Sequence, residues 1–253
     1  MTQAEITEAD WNEYFEAYDV INSRVGFYAA LQKAHITEHE SLCRVNGKPE
    51  RILDAGCGTG NNAVILAESD LAAAIHGIDI SEVGLRLLAR KCLHREVRVE
   101  AVKGSITALP YPTGFFDGGV LMMNVLYSIP DYLSALGEIS RVTRAGGVLT
   151  VSGPMPGIDP ASFLQKAVQE IEEIDTNPEV KNAWDVVSRI NERLLTNPSI
   201  THQFTAAELG EILSRFGFKA YLSNQDHYYG NVYFVAAMKR AVNAEGAPTA
   251  NRK

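Results

Sequence analysis

Residues 51–60 read Arg51-Ile52-Leu53-Asp54-Ala55-Gly56-Cys57-Gly58-Thr59-Gly60: a short apolar run, an acid, then glycine at every second position. An apolar segment ending in glycines predicts a buried strand, Arg51–Asp54, running into a tight turn, and the helix-like Asn62–Ser69 follows it. A backbone that swings from strand to helix while passing close to a ligand needs residues without a Cβ, which Gly56, Gly58 and Gly60 supply. The start of the helix adds unpaired N–H groups.

Two kinds of ligand use such a turn. A dinucleotide pyrophosphate is held by G-x-G-x-x-G at a helix N-terminus. Counted from Gly56, the third glycine position holds Asn61, so that pattern fails. A ligand carrying an amino-acid group and a sulfonium suits G-x-G-x-G behind an acid. Asp54 would repel pyrophosphate, yet it can accept hydrogen bonds from an ammonium group. Asp79, in His76-Gly77-Ile78-Asp79-Ile80-Ser81, closes the next strand about 20 residues on, where a carboxylate can take both ribose hydroxyls.

Outward from this centre, strands are expected at Ala73–Ile80, Val97–Val102, Gly118–Met123 and Gly147–Ser152, with helices over Ser81–Lys91 and Leu133–Arg144. Alternating strands and helices imply a parallel sheet covered on both faces. Thr205-Ala206-Ala207-Glu208 has capping-box spacing and opens a helix to about Phe216, before strands near Phe218–Ser223 and Asn231–Met238. Two helical patterns without a strand, Ala161–Ile174 and Glu179–Leu195, read as an inserted cap. From Asp10 to about His39 the residues Trp11, Tyr14, Phe15, Tyr18, Ile21, Val25 and Tyr28 share one helical face, which suits a core-packed helix or a lid over a ligand. The expected division is a lid over 1–45, a ligand-binding core over 46–154, a helical cap over 155–202 and completion of the sheet over 203–240. A small polar tail over 241–253 is expected to be disordered.

Of 253 residues 46% are hydrophobic and 21% charged, the balance of a folded chain with a sizeable core. The formal net charge is −8, with 23 basic against 31 acidic side chains and no Lys/Arg run, which disfavours a nucleic-acid substrate. No basic-then-apolar leader opens the chain, and no window approaches the roughly 18 to 20 apolar residues of a membrane span. A cytoplasmic protein without membrane contact is expected. Cys43, Cys57 and Cys92 are odd in number and widely spaced, indicating neither a disulfide framework nor a metal site.

Together, "LDAGCGTG" at 53–60, "GIDIS" at 77–81, "LPYPTGFFDGG" at 109–119, "NVLYSIPDYLSALGEISRVTRAGGVLTVS" at 124–152 and "GFKA" at 217–220 resemble the Rossmann-like, class I S-adenosylmethionine-dependent methyltransferases of small-molecule type. The resemblance spans about Arg51–Pro154 and continues more weakly to the last strands. It implies a seven-stranded, mostly parallel sheet with an antiparallel last strand, helices on both faces and a helical cap. It also implies S-adenosylmethionine as cofactor, with S-adenosylhomocysteine as product and no metal. Carried over, Asp54, Gly56, Cys57, Gly58 and Gly60 form the methionine-side loop, Asp79 the ribose ligand and Ile80 a wall beside the adenine, with Met123 and Asn124 beside the donor. The family often places Gly-Asp before its Leu-Pro; here the pair is Gly104-Ser105, so Ser105 and Ile106 are the adenine-side candidates. Tyr127-Ser128 stands where relatives often carry two histidines, which removes one source of a base.

Ligands in open parallel sheets collect beyond the carboxyl ends of the strands. The turn Asp226–Gly230 falls there if the strand from Phe218 runs parallel, making His227 the candidate base and Tyr228 and Tyr229 candidate acceptor contacts. Tyr14, Tyr18, Tyr127 and His202 complete that set, and Met155, Phe163, Trp184 and Ile190 are further candidates for the pocket lining. His35 and His39, flanked by Glu38 and Glu40, are expected at the surface. The leading expectation is methyl transfer to a small, neutral or cationic acceptor, at oxygen or nitrogen before carbon. Transfer to a protein or tRNA, and a non-catalytic partner subunit of the same fold, are the alternatives. The cap leaves a homodimer open.

Overall fold

In the computed structural model, β1 (Arg51–Ala55), β2 (Ala74–Asp79), β3 (Glu100–Lys103), β4 (Gly119–Met123), β5 (Val148–Pro154), β6 (Phe218–Asp226) and β7 (Val232–Lys239) form one sheet, ordered β3-β2-β1-β4-β5-β7-β6. The first five are parallel; β7 is antiparallel to both β5 and β6, so β6 points the same way as the first five. This is the expected mostly parallel sheet with an antiparallel last strand. The structure describes residues 7–22, 26–159, 163, 165–170, 177–197 and 201–241, without the side chains of 42–46. The tail from 242 and half of the first expected cap helix, 161–174, lie outside them, as does the Cys43 side chain.

The central strands are apolar on both sides because both faces are covered. Gly119–Met123 and Val148–Pro154 are buried at every position. Alternate residues feed two cores, in keeping with the two-residue period of a strand. Ile52, Leu121 and Phe234 face one, with α2 (Gly26–Asn46) and α3 (Asn61–Glu68); Leu53, Val120, Met122 and Val235 face the other, with α5 (Tyr132–Val142). Further helices among the described residues are α1 (Glu8–Ile21), α4 (Glu82–Arg95), α6 (Pro178–Thr196) and α7 (Ala206–Arg215), besides the helical residues 165–170 and short helical turns at Leu126–Ser128 and His227–Gly230. The Thr205–Glu208 capping box forms as read, and Thr7–Asp10 makes a second at α1.

The N-terminal stripe resolves differently. Its described residues are divided between α1 and α2, with Val25 outside them, and α2 packs on β5 and β4 as part of the scaffold. His35 and His39 are therefore fully buried, not at the surface. His35 Nε2 is 2.9 Å from Ser152 Oγ and His39 Nδ1 is 3.1 Å from Thr150 Oγ1. A strand face carrying Thr150 and Ser152 gives the two imidazoles polar partners, which the glutamates flanking His39 in sequence do not reveal.

Candidate active site

The strand order reverses between β1 and β4, and the crevice beyond their carboxyl ends is where an open sheet receives a ligand. The glycine loop is stiffened from within. Gly56 N and Cys57 N donate to Ile78 O at 2.8 and 3.0 Å, Gly60 N donates to Cys57 O at 2.8 Å, and Gly58 N donates to Asp79 Oδ2 at 2.8 Å. Gly60 has φ 77°, and a Cβ there would lie 2.1 Å from Leu88 Cδ1, so this glycine brings α3 against α4. Gly58 has φ 50°, and a Cβ there would lie 2.7 Å from Phe15 Cε1 in α1.

Asp54 turns away from the crevice. Its Oδ2 accepts from Ala63 N at 3.1 Å, at the start of α3. The helix N-terminus that would hold a pyrophosphate thus already has its anion. Burial, with Asp79 nearby, pushes Asp54 up to about 7. Burial also raises Asp79, against backbone N–H donors at Ser81, Gly58 and Ile80. Two buried carboxylates with raised pKa values describe a site that gains from a cationic ligand.

A cavity of about 520 Å³ opens over this loop. Gly56, Cys57, Gly58, Asp79, Ile80, Ser105, Ile106, Met123 and Asn124 line it, while Asp54 and Gly60 stand behind the wall. Beyond the loop it widens into a chamber walled by Tyr14, Tyr18, Tyr28, Tyr127, Trp184 and Tyr228, with Trp11 and Phe163 also contributing. No Lys, Arg or His lines it among the described residues. Tyr14 and Tyr18 stack at 5.2 Å, and Tyr18 meets Tyr28 edge-on at 5.3 Å. Burial raises Tyr14, Tyr18 and Tyr127 above their ordinary value and holds Tyr28 at about 12, so these are hydroxyls, not phenolates.

The histidines singled out from the sequence lie elsewhere. His227 packs edge-on against Phe234 with its Nε2 buried and unpartnered, and His202 places Nε2 3.0 Å from Pro130 O. Tyr228 and Tyr229 take left-handed φ values of 50° and 56°. Tyr228 lines the chamber, whereas Tyr229 donates to Glu170. Met155 and Ile190 pack outside the wall, in the apolar clusters. Tyr28 and Asn191 line the cavity without having been singled out as site residues: Tyr28 sits in the aromatic stripe, but nothing in its own segment marks Asn191.

α1 lies over the mouth, and each of its carboxylates meets a cation. Glu8 pairs with Lys103, Glu16 with Arg86 and Asp19 with Lys91 on one side; Asp10 pairs with Arg193 and Glu13 with Arg189 of α6 on the other. Asn12 Oδ1 accepts from Ser81 Oγ at 2.8 Å, tying α1 to the loop that follows β2.

Known proteins bear on this geometry directly. Residues 52–147 match the family described as a methyltransferase domain. A demethylmenaquinone methyltransferase of Thermus thermophilus is 33% identical over 141 residues, which are 56% of this chain and 62% of that protein, so the chain spans about three fifths of this curated relative. The magnesium protoporphyrin IX methyltransferase structure from Synechocystis, with bound SAH, shares the fold at a TM-score of 0.61 and 15% identity, covering 92% of this chain and 96% of that one. The [4+2]-cyclase SpnF shares it at 0.57 and 19% identity, covering 80% and 79%. The matched segment runs from β1 through the glycine loop and β4 to the residue before β5, so this part of the chain is similar to a methyltransferase domain, and the chain shares the fold of the SAH-bound methyltransferase structure.

Proposed function

We propose that the protein transfers a methyl group from S-adenosylmethionine to a small, uncharged acceptor held in the aromatic chamber. The observation that carries this reading is the single cavity running from the glycine loop and Asp79 into a chamber whose wall has no Lys or Arg among the described residues. An anionic acceptor would be buried there without a counter-charge, at a cost that burial of a lone charge makes prohibitive. A polynucleotide would lack cations for its phosphates.

When bound, S-adenosylmethionine supplies a methyl group already activated by its sulfonium, so alignment and exclusion of water outweigh acid–base catalysis. Asp79 would hold the ribose, the Gly56–Gly58 backbone would lie along the amino-acid portion, and Ile80, Ser105 and Ile106 would flank the adenine. The Asp54 and Asp79 charges favour the cationic donor. α1 closes the mouth, with Phe15 on the glycine loop, and keeps water from the reacting end. His227 does not line the chamber, and the reading requires no histidine base. A neutral oxygen, nitrogen or carbon nucleophile seated between Tyr14, Tyr127 and Tyr228 would face the donor past Asn124.

The test is to incubate the protein with methyl-deuterated S-adenosylmethionine and a fractionated metabolite extract, following label by mass spectrometry. Label entering neutral species is the expected result. Label confined to anionic species, or found only in protein or RNA, contradicts it.

A further inference from the structure

A chain of side chains runs from buried His35 and Ser152 through half-buried Asn124 and ends on half-buried Tyr228 at the chamber. Asn124 follows β4 with a left-handed φ of 55°, a conformation that asparagine tolerates better than most residues. Its backbone N–H donates to Ser152 Oγ at 3.1 Å, and the Ser152 hydroxyl donates back to Asn124 Oδ1 at 3.1 Å. With Oδ1 so used, Asn124 Nδ2 donates to Tyr228 Oη at 3.3 Å. Behind Ser152 lies His35, fully buried, with Nε2 2.9 Å from Ser152 Oγ.

Proton counting gives this chain a direction. Ser152 has one hydroxyl proton, committed to Asn124, so His35 Nε2 must carry the proton of the His35–Ser152 bond. His35 Nδ1 is then a bare lone pair, and it is the ring atom found buried without a partner. The reverse direction, with Ser152 donating to His35 and the amide of Asn124 turned over, would leave a buried N–H at Nδ1 unpaired, the rarer situation in folded proteins. In the favoured direction the Tyr228 oxygen accepts from Asn124, and the Tyr228 proton has no acceptor among the described residues. The ring itself is fixed by Phe27 at 4.6 Å and Phe163 at 5.9 Å.

We infer that the His35–Ser152–Asn124 chain sets Tyr228 as a hydrogen-bond donor to the methyl acceptor, so that the chamber selects a neutral molecule carrying a carbonyl, ether or hydroxyl oxygen over one offering only N–H donors. Tyr228 touches the acceptor, while Ser152 and His35 act through Asn124 as positioning residues. This assignment rests on the chamber being the acceptor site, as proposed above.

A matched pair of probes reads it without knowledge of the natural acceptor. 1-Tetralone carries one carbonyl oxygen; tetralin has nearly the same shape without it. Each is titrated calorimetrically into the protein saturated with S-adenosylhomocysteine. Tyr228→Phe is expected to weaken tetralone about tenfold while tetralin stays within twofold, the difference one buried hydrogen bond makes. Ser152→Ala and His35→Leu are expected to weaken tetralone severalfold and tetralin hardly at all, and His35→Gln, whose amide can donate to Ser152, restores the wild-type ratio. Equal weakening of both probes would mark a purely structural role and overturn the proposal, as would an unchanged tetralone affinity in Tyr228→Phe, a wild-type preference for 1-aminotetralin as its ammonium, or failure of the wild type to bind tetralone. Failure to bind S-adenosylhomocysteine would strike the methyltransferase reading instead, and the tetralone-to-tetralin ratio of the donor-free protein still reads the relay.

Discussion

The proposed donor end and the proposed acceptor end of the cavity are built by different means. The donor end is made by backbone: a ten-residue segment turns back on itself, its N–H groups bound to Ile78, Cys57 and Asp79, and its shape depends on missing Cβ atoms. The acceptor end is made by side chains brought from α1, the turn at 126–128, α6 and the 227–230 turn, with Trp11 and Trp184 entering from well-separated parts of the sequence. Backbone-built sites are written in contiguous motifs; sites assembled from distant helices are written in packing, which one segment cannot show.

The largest effect expected belongs to the donor end. Asp79→Ala removes the proposed ribose ligand and frees the N–H groups of Gly58 and Ser81, so donor affinity should fall about 100-fold, the equivalent of roughly 3 kcal/mol. Calorimetry with S-adenosylmethionine reads this directly; an unchanged affinity would mean the ribose sits elsewhere.

The scaffold behind the chamber should answer to acid. Burial holds His39 at about 4, against about 6.5 in an unfolded chain. The unfolded state therefore binds the extra proton between those values, and the stability contributed by neutral His39 is present above pH 6.5 and lost as pH falls toward 4. Asp54, raised in the folded state, works in the opposite sense over an overlapping range, so the wild type alone does not isolate the effect. Compared with His39→Gln in denaturant melts, the wild type should lose about 2 kcal/mol more between pH 7 and pH 5. Parallel losses would show that α2 does not bury a neutral imidazole there.

These two predictions also mark where reading the sequence succeeds and where it stops. Arg51–Gly60 and Asp79 announce the fold, and with it the proposed donor side, because a strand-end acid and alternate glycines have few other uses at that spacing. The histidines mislead because local neighbours are their only context in sequence. Glu38 and Glu40 suggest solvent for His39, yet α2 lies on β5 and carries His35 and His39 to Ser152 and Thr150. Around residue 227 the polar and aromatic cluster points to a turn of which Tyr228 lines the cavity. The left-handed backbone at 228 and 229 then decides that Tyr228 enters the chamber and Tyr229 leaves it for Glu170.

A smaller effect joins the two ends through charge. In the donor-free protein Asp54 is protonated below about 7, and a cationic donor favours its ionised form. Donor binding should release a proton in acid, and affinity should weaken up to about fivefold between pH 7 and pH 6. Titrations in buffers of different ionisation enthalpy would show the released proton; an affinity independent of pH would mean that Asp54 does not sense the donor.

The smallest effect concerns the lid. Arg193 lies 2.6 Å from Asp10, with both side chains mostly covered, yet such a pair near a surface contributes only up to about 1 kcal/mol. Arg193→Ala should speed release of S-adenosylhomocysteine severalfold in stopped-flow fluorescence with little change in melting temperature. Unchanged release would indicate that α1 does not gate the cavity.

The central claim, that the loop at 54–60 with Asp79 holds a methyl donor, is tested most directly by titrating the wild-type protein with S-adenosylmethionine and, in parallel, with NADH. One S-adenosylmethionine bound per chain with no detectable heat from NADH is the predicted result. Binding of NADH, or of neither ligand, would contradict it.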